Sequence, residues 1–402
     1  MALSCAAPGL ALIPTRDLHR RRVTPVSTST SASSGTVVAP GRRTTACNRH
    51  PTRCRVYTPT DRVSELQNEG AYAVLAAAQA LEAQGRDIVH LEIGQPGFPT
   101  PAHVVDAGVD AIRGGQTKYS APDGVPLLRE AIARYVTDTR GVAVASNEVV
   151  VGPGAKPGLF FPALALINPG DQVVYPDPGF PTYKAMIQVA GGIGVPVPLR
   201  PDGASFDMAA LRAAVTPDTR LIVLNSPANP TGGVMPLEDV QEVAALAVKH
   251  DAWVLSDEIY SRLVYKDGGG DAPSVFSLPG MKERTVVVDG FSKTYCMTGW
   301  RLGWAVMPAA LARRVELLMV HSVGCTATFT QAAGLAALEG PQDGVEEMVD
   351  EYQRRRDFVV AALNAMPGVT CATPAGASLN PMPYTLHPTP YIPYTLHPTL
   401  YT

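Results

Sequence analysis

Phe291-Ser292-Lys293-Thr294 follows directly on an apolar run, Thr285–Asp289, and Arg301 comes eight residues after the lysine. A lone lysine is usually solvated surface. This one has a buried run before it, a hydroxyl beside it and a guanidinium soon after. Ser292 and Arg301 suit a phosphate monoester, and the amine of Lys293 suits an aldehyde on the same molecule. A second apolar run closes on Ser256-Asp257-Glu258-Ile259-Tyr260. An acid buried there needs a partner. A helix cap is the plainer reading. The pyridinium nitrogen of pyridoxal phosphate (PLP) is the reading that Lys293 and Arg301 favour. Asp257 would keep that nitrogen protonated, so that the ring draws electrons from a carbanion at a substrate's α-carbon. Tyr260, three residues on, is in reach of the ring hydroxyl.

Three further segments fit the same ligand. Asn225-Ser226-Pro227-Ala228-Asn229-Pro230-Thr231-Gly232 follows an apolar run. It is rich in turn formers, and it would set Asn229 against the ring hydroxyl. Val149-Val150-Val151-Gly152-Pro153-Gly154-Ala155-Lys156-Pro157 reads as strand, glycine-rich turn and helix start. Free N–H groups at such a start bind anions, which assigns Gly154, Ala155 and Lys156 to the phosphate. Phe180, in Asp177-Pro178-Gly179-Phe180, either belongs to the core or stacks on a flat ring.

The elements that must position these residues alternate in character. Strand-like runs lie at Glu148–Val151, Gln172–Tyr175, Ile193–Leu199, Arg220–Asn225, Ala252–Asp257, Thr285–Asp289 and Leu302–Val306. Helical stretches such as Leu237–His250 and Ala309–His321 separate them, and Ser64–Gln84 precedes them. Alternation of this kind predicts an α/β fold with a mainly parallel seven-stranded sheet flanked by helices. Ligands of open sheets sit at the carboxyl ends of the strands, where the candidate residues fall.

Composition sets the bounds. The 402 residues are 46% hydrophobic, enough for a real core. Apolar runs stop well short of ~20 residues, so no membrane span is expected. Six scattered cysteines show no metal-ligand spacing, which argues against zinc. Residues 1–60 carry nine Arg and one acid, Asp17, a balance of +8; against a whole-chain −3 the remainder stands at −11. That acidic remainder argues against nucleic acid. The Arg-, Ser- and Thr-rich residues 1–57 read as a disordered transit peptide, chloroplast first and mitochondrion second, with a plain disordered tail as the alternative. Residues 380–402 repeat Pro-Tyr-Thr-Leu-His-Pro-Thr at 383–389 and 393–399, a low-complexity tail too rich in proline for helix. A proline-rich ligand segment is the other reading.

Asn-x-Pro-x-Asn-Pro-Thr-Gly, Ser-Asp-Glu-Ile-Tyr and Ser-Lys-x7-Arg, in this order, resemble the class I aminotransferase family. The resemblance runs from about Thr58 to Ala377. It implies PLP fold type I, a large PLP-binding domain over 105–340, and a smaller α+β domain from 58–104 and 341–379. It also implies a homodimer with shared active sites. It adds Gly94, near the substrate carboxylate, and Tyr119, reaching the phosphate of the neighbouring subunit. Phe180 stands where many members have Trp. After Pro374-Ala375-Gly376-Ala377 the family continues to an arginine that clamps the substrate carboxylate. Here the repeat follows and no arginine occurs after Arg356, so the smaller domain is expected to be incomplete.

The function implied is transfer of an amino group between an L-amino acid and a 2-oxo acid, of the aspartate/glutamate type. A C–S lyase or another PLP enzyme of the same fold is one alternative. A truncated, non-catalytic PLP-binding product is the other.

Overall fold

The computed structural model describes residues 59–64, 66, 70–268 and 272–377. The expected transit segment and the repeat tail lie outside the described residues. One sheet of seven strands organises the rest: β1 (Val149–Gly152), β2 (Gln172–Asp177), β3 (Ile193–Pro198), β4 (Thr219–Asn225), β5 (Trp253–Asp257), β6 (Thr285–Gly290) and β7 (Gly303–Val306). Their order across the sheet is β1-β7-β6-β5-β4-β2-β3. β2 to β6 run parallel, and β7 runs antiparallel to both β6 and β1. The expected seven strands are all present, with ends moved by one or two residues.

Central strands buried on both faces read as continuous apolar runs, and β6 is buried at all six positions. Alternation sends its side chains to opposite layers. Val286 and Val288 pack with Leu159, Met186 and Val315, from helices Lys156–Leu166, Thr182–Ala190 and Ala309–Val320. Val287 packs on the other face with Leu128, Ile132 and Ala333, from helices Pro126–Arg140 and Thr328–Glu339. Further along that face Ile222 and Val254 meet Val240 and Val243 of helix Leu237–Lys249. Pro196 and Pro198 fall in β3, at the sheet's edge, where a missing N–H does least harm.

Helix Pro126–Arg140 opens on proline and stops at Gly141, whose φ of 67° is left-handed. The first long helix covers Gly70–Glu82, shorter than the Ser64–Gln84 expected, because Gly70 opens it and Gly85 (φ 81°) follows it. The 22-residue helix Asp343–Asn364 has Asp343 and Glu346 in its first turn, where acids complement the helix dipole. Beyond it the chain returns to the loop after β5 through one antiparallel bridge, Val264 to Gly376. Among the described residues there is no second sheet. No described helix is long and apolar enough to cross a membrane.

Candidate active site

The carboxyl ends of β1, β2, β4, β5 and β6 share one edge of the sheet, and antiparallel β7 starts from that edge. So Gly154, Phe180, Asn229, Asp257 and Lys293 follow strands that end side by side, and Arg301 precedes the strand that begins there. The motifs are far apart in sequence, and the topology brings them to one rim.

Lys293 lies in the short helix Phe291–Thr294, directly after β6. Its Nζ donates to the carbonyl of Gly94 and stands 5.6 Å from the centroid of the Tyr260 ring. Burial pulls its pKa down to about 8, Arg301 adds to the fall, and Asp257 partly opposes it. At neutral pH the neutral amine is then roughly three hundred times more abundant than for a lysine at its ordinary value. Only the neutral amine is a nucleophile.

Asp257 closes β5 and is 4% exposed. Its Oδ2 accepts from Tyr183 Oη at 2.8 Å, and its Oδ1 from the Ile259 N–H at 3.3 Å. Burial pushes its pKa up to about 6. The Tyr183 and Ile259 hydrogen bonds oppose that, Glu258 adds to it, and Lys293 pulls it down. A buried carboxylate in this condition is stabilised by a cation set against it. The Asn225 amide donates to the Asp257 carbonyl at 3.0 Å, and its oxygen accepts the Asn229 N–H at 2.6 Å. Asn225 thus ties the Asn-Pro-Thr-Gly turn to the end of β5.

An anion cradle lies opposite. Helix Lys156–Leu166 starts straight after the Gly154-Ala155 turn, which places the N–H groups of Ala155 and Lys156 at its positive end. Pro157 carries no N–H, and the Gly158 N–H bonds the Ala155 carbonyl at 2.9 Å. Gly154 (φ 90°) abuts Arg301: a Cβ there would fall 2.2 Å from Arg301 Nη2. A Cβ on Gly303 would fall 2.5 Å from Ala155 N. Both glycines allow the two loops to close on one another. Arg301 holds φ 54°, an uncommon backbone for a non-glycine residue and one that concentrates at functional positions. Its Nη1 donates to the Thr298 carbonyl at 2.9 Å. Ser292 is buried. Thr100, Pro153, Trp300, Arg301 and Thr326 line a cavity of about 600 Å³ beside this cradle.

Phe180 packs edge-on to Tyr183, with centroids 5.7 Å apart, and the Lys156 ammonium stands 5.4 Å from its ring centroid. Lys156 therefore sits over the aromatic. Tyr260 is buried beneath the lysine. Tyr119 is 97% exposed and is not among the groups gathered around Lys293 within the chain. Arg356, the last arginine, is not available to a ligand. Its guanidinium is 1% exposed on the side chain, holds both Asp267 oxygens at 2.8 and 2.6 Å, donates to the Pro374 carbonyl and packs over Tyr265.

Sequence reasoning missed Tyr183 as the partner of Asp257 and Asn225 as the turn's anchor. A tyrosine three residues after Phe180, in a helix's first turn, carries no polar signal of its own. The residues that are present fit PLP. The cradle offers a guanidinium, a buried hydroxyl and a helix start for a phosphate. The lysine is desolvated, and among the described residues the acid is hydrogen-bonded by Tyr183 and Ile259 but forms no ion pair.

Residues 86–381 match the family described as aminotransferase class I and II. An aspartate aminotransferase of Musicola paradisiaca (strain Ech703) is 39% identical over 320 residues, 79% of this chain and 79% of that protein. An arginine–pyruvate transaminase of Pseudomonas aeruginosa is 38% identical over 320 residues, 79% and 81% of the two. The structure of an aspartate aminotransferase from Thermus thermophilus with maleate superposes with a TM-score of 0.76, at 37% identity, over 80% of this chain and 84% of that one. Fold, motif order and likeness agree: the chain belongs to the class I and II aminotransferases, the PLP-dependent transaminases.

Proposed function

We propose that this chain transfers an amino group between a dicarboxylic L-amino acid, aspartate or glutamate, and a 2-oxo acid. The observation that carries the reading is the pairing of a desolvated Lys293 amine with the buried acid Asp257 at one sheet edge. The names of the aspartate aminotransferases among its relatives support the dicarboxylate. Bound PLP supplies an electron sink and a covalent handle for the amine. The chain's own residues do the rest. Arg301, Ser292 and the N–H groups of Ala155 and Lys156 would take the phosphate. The Gly154 N–H already bonds the Gly152 carbonyl at 2.8 Å, and that glycine instead lets the loop approach Arg301. Phe180 would cover the ring, and Asn229 and Tyr260 would face its hydroxyl. Asp257, aimed by Tyr183, keeps a proton on the ring nitrogen. Lys293 Nζ takes the proton from the substrate's α-carbon. Gly94 borders the space for the substrate carboxylate, and Tyr119 serves the neighbouring subunit of a homodimer. Aspartate with 2-oxoglutarate should give glutamate and oxaloacetate. Ammonia and pyruvate from a cysteine conjugate, without a new amino acid, would make it a C–S lyase instead.

The same reading implies that this chain holds PLP far better than it transaminates. The cofactor contacts all precede residue 302, Arg356 is locked to Asp267, and no arginine follows it. A missing bidentate, charge-assisted contact is worth about 1.5–3 kcal/mol, a tenfold to few-hundredfold loss. Lost orientation adds to it. A chimera carrying the Musicola paradisiaca sequence after Ala377 should raise kcat/KM by at least tenfold at similar PLP affinity. Equal kcat/KM would mean that a residue before Ala377 already holds the carboxylate.

The basic, hydroxyl-rich residues 1–57 are proposed as an organelle address, with the plastid favoured. A fluorescent protein fused behind residues 1–60 should enter plastids. Mitochondrial signal would reverse the ranking, and uniform cytosolic signal would end the proposal.

A further inference from the structure

Behind the site, on the sheet face away from Tyr183, lies a buried polar cluster that the chemistry above does not use. Glu258 follows Asp257 and is 4% exposed. Arg140, at the end of helix Pro126–Arg140, donates to Glu258 Oε2 from Nε at 2.9 Å and from Nη2 at 2.8 Å. Ser256 and Ser274 donate to Glu258 Oε1 at 2.8 and 2.6 Å. That carboxylate is saturated.

Asp289 is different. It lies in β6, one residue past Val288, the register partner of Asp257, and is 3% exposed. Its Oδ1 accepts the Gly290 N–H at 2.6 Å, and its Oδ2 accepts Ser261 Oγ–H at 3.1 Å. Gly290 is the residue from which the Lys293 helix starts. Ser261 adjoins Tyr260. One buried carboxylate therefore spans the two loops that carry the lysine and the tyrosine beneath it.

We propose that Asp289 is a positioning residue, whose carboxylate clasps the Lys293 turn to the Tyr260 loop and so holds the amine in register with Asp257. The proposal rests on Lys293 being the reactive amine. The clasp has a protonation state of its own. Burial pushes Asp289 up to about 7. Arg140 pulls against that most strongly, then the Gly290 N–H; Glu258 pushes upward and Ser261 pulls down. Tyr135 on the helix, Tyr295 after the Lys293 turn and Arg262 beside Ser261 complete the charged and titratable surroundings. A proton on Oδ2 makes it a donor, and Ser261 must then accept where it had donated. The clasp rearranges as pH falls through 7.

The test is the rate at which the full chain, stripped of cofactor, captures PLP between pH 5.5 and 9, read by fluorescence. The wild type should show an inflection near 7 from Asp289 beside the one near 8 from Lys293. Asp289→Asn, close in shape to the protonated acid, should lose the lower inflection, keep the upper one and stay within about threefold in rate at its optimum. Asp289→Ala should slow capture about tenfold, and Ser261→Ala about threefold, in line with one or two lost hydrogen bonds. An inflection near 7 that persists in Asp289→Asn overturns the proposal. So does wild-type capture by both Asp289→Ala and Ser261→Ala. Unimpaired covalent capture by Lys293→Ala would instead sink the choice of lysine, a separate failure.

Discussion

Lys293→Ala should bind PLP through its phosphate yet lose transamination by roughly 10⁴–10⁶-fold, the range seen when a covalent and proton-transferring group is removed. Two functions vanish with one side chain: the covalent hold on the cofactor and the base at the α-carbon. The protein itself should still fold. Lys293 Nζ donates to the Gly94 carbonyl, and its charged form is disfavoured by burial. The measurement is single-turnover production of 2-oxo acid by rapid quench, beside the visible absorbance of the bound cofactor. Absorbance and turnover like those of the wild type would place the chemistry on another amine. For the wild type the amine must be unprotonated to act. Its pKa is lowered to about 8, so capture of PLP should rise as pH climbs through 8 and be slowest in acid.

Asp257→Ala should lower kcat by about 10³-fold, the scale on which one preorganised electrostatic partner matters. It should weaken PLP binding far less, because the phosphate cradle is untouched. The substitution also strands the buried Tyr183 hydroxyl, which gives up its acceptor. An unsatisfied buried donor costs about 1–3 kcal/mol, so some loss of stability is expected. Asp257→Asn separates the two effects. Its amide oxygen still accepts from Tyr183, so thermal stability should recover. It cannot hold a proton on the ring nitrogen, so turnover should stay low. Steady-state kinetics and melting temperature on the two variants make the comparison. Near-normal turnover in Asp257→Asn would reduce Asp257 to a structural cap.

Much of the fold and of the site is legible in the sequence. The mainly parallel sheet is announced by its apolar runs, because central strands such as β6, covered on both faces, must be apolar throughout; edge strand β3 is largely exposed. Lys293, Asp257 and the Asn-Pro-Thr-Gly turn were legible because each sits just past such a run, where a polar group needs a reason to be. The connections between them were not. Tyr183 reaches Asp257 across 74 residues of sequence, and in sequence Asp289 is only the end of an apolar run. Its clasp on Ser261 exists because β5 and β6 are neighbours in register, a fact of topology. The assignment of Lys156 to the phosphate rests on its backbone N–H at a helix start. The sequence leaves open where its four-carbon stem points, and the ammonium stands over Phe180. Arg356 shows the opposite case. In sequence it is only the last arginine, and the fold commits it to Asp267 and Pro374.

The central claim is that Lys293 is the residue to which the cofactor is joined. The full chain, loaded with PLP, is reduced with borohydride, digested and mapped by mass spectrometry. The account predicts a phosphopyridoxyl group on Lys293, at near-stoichiometric yield, and none on Lys156 or Lys118. A stable adduct on another lysine, with Lys293 recovered unmodified, would contradict it.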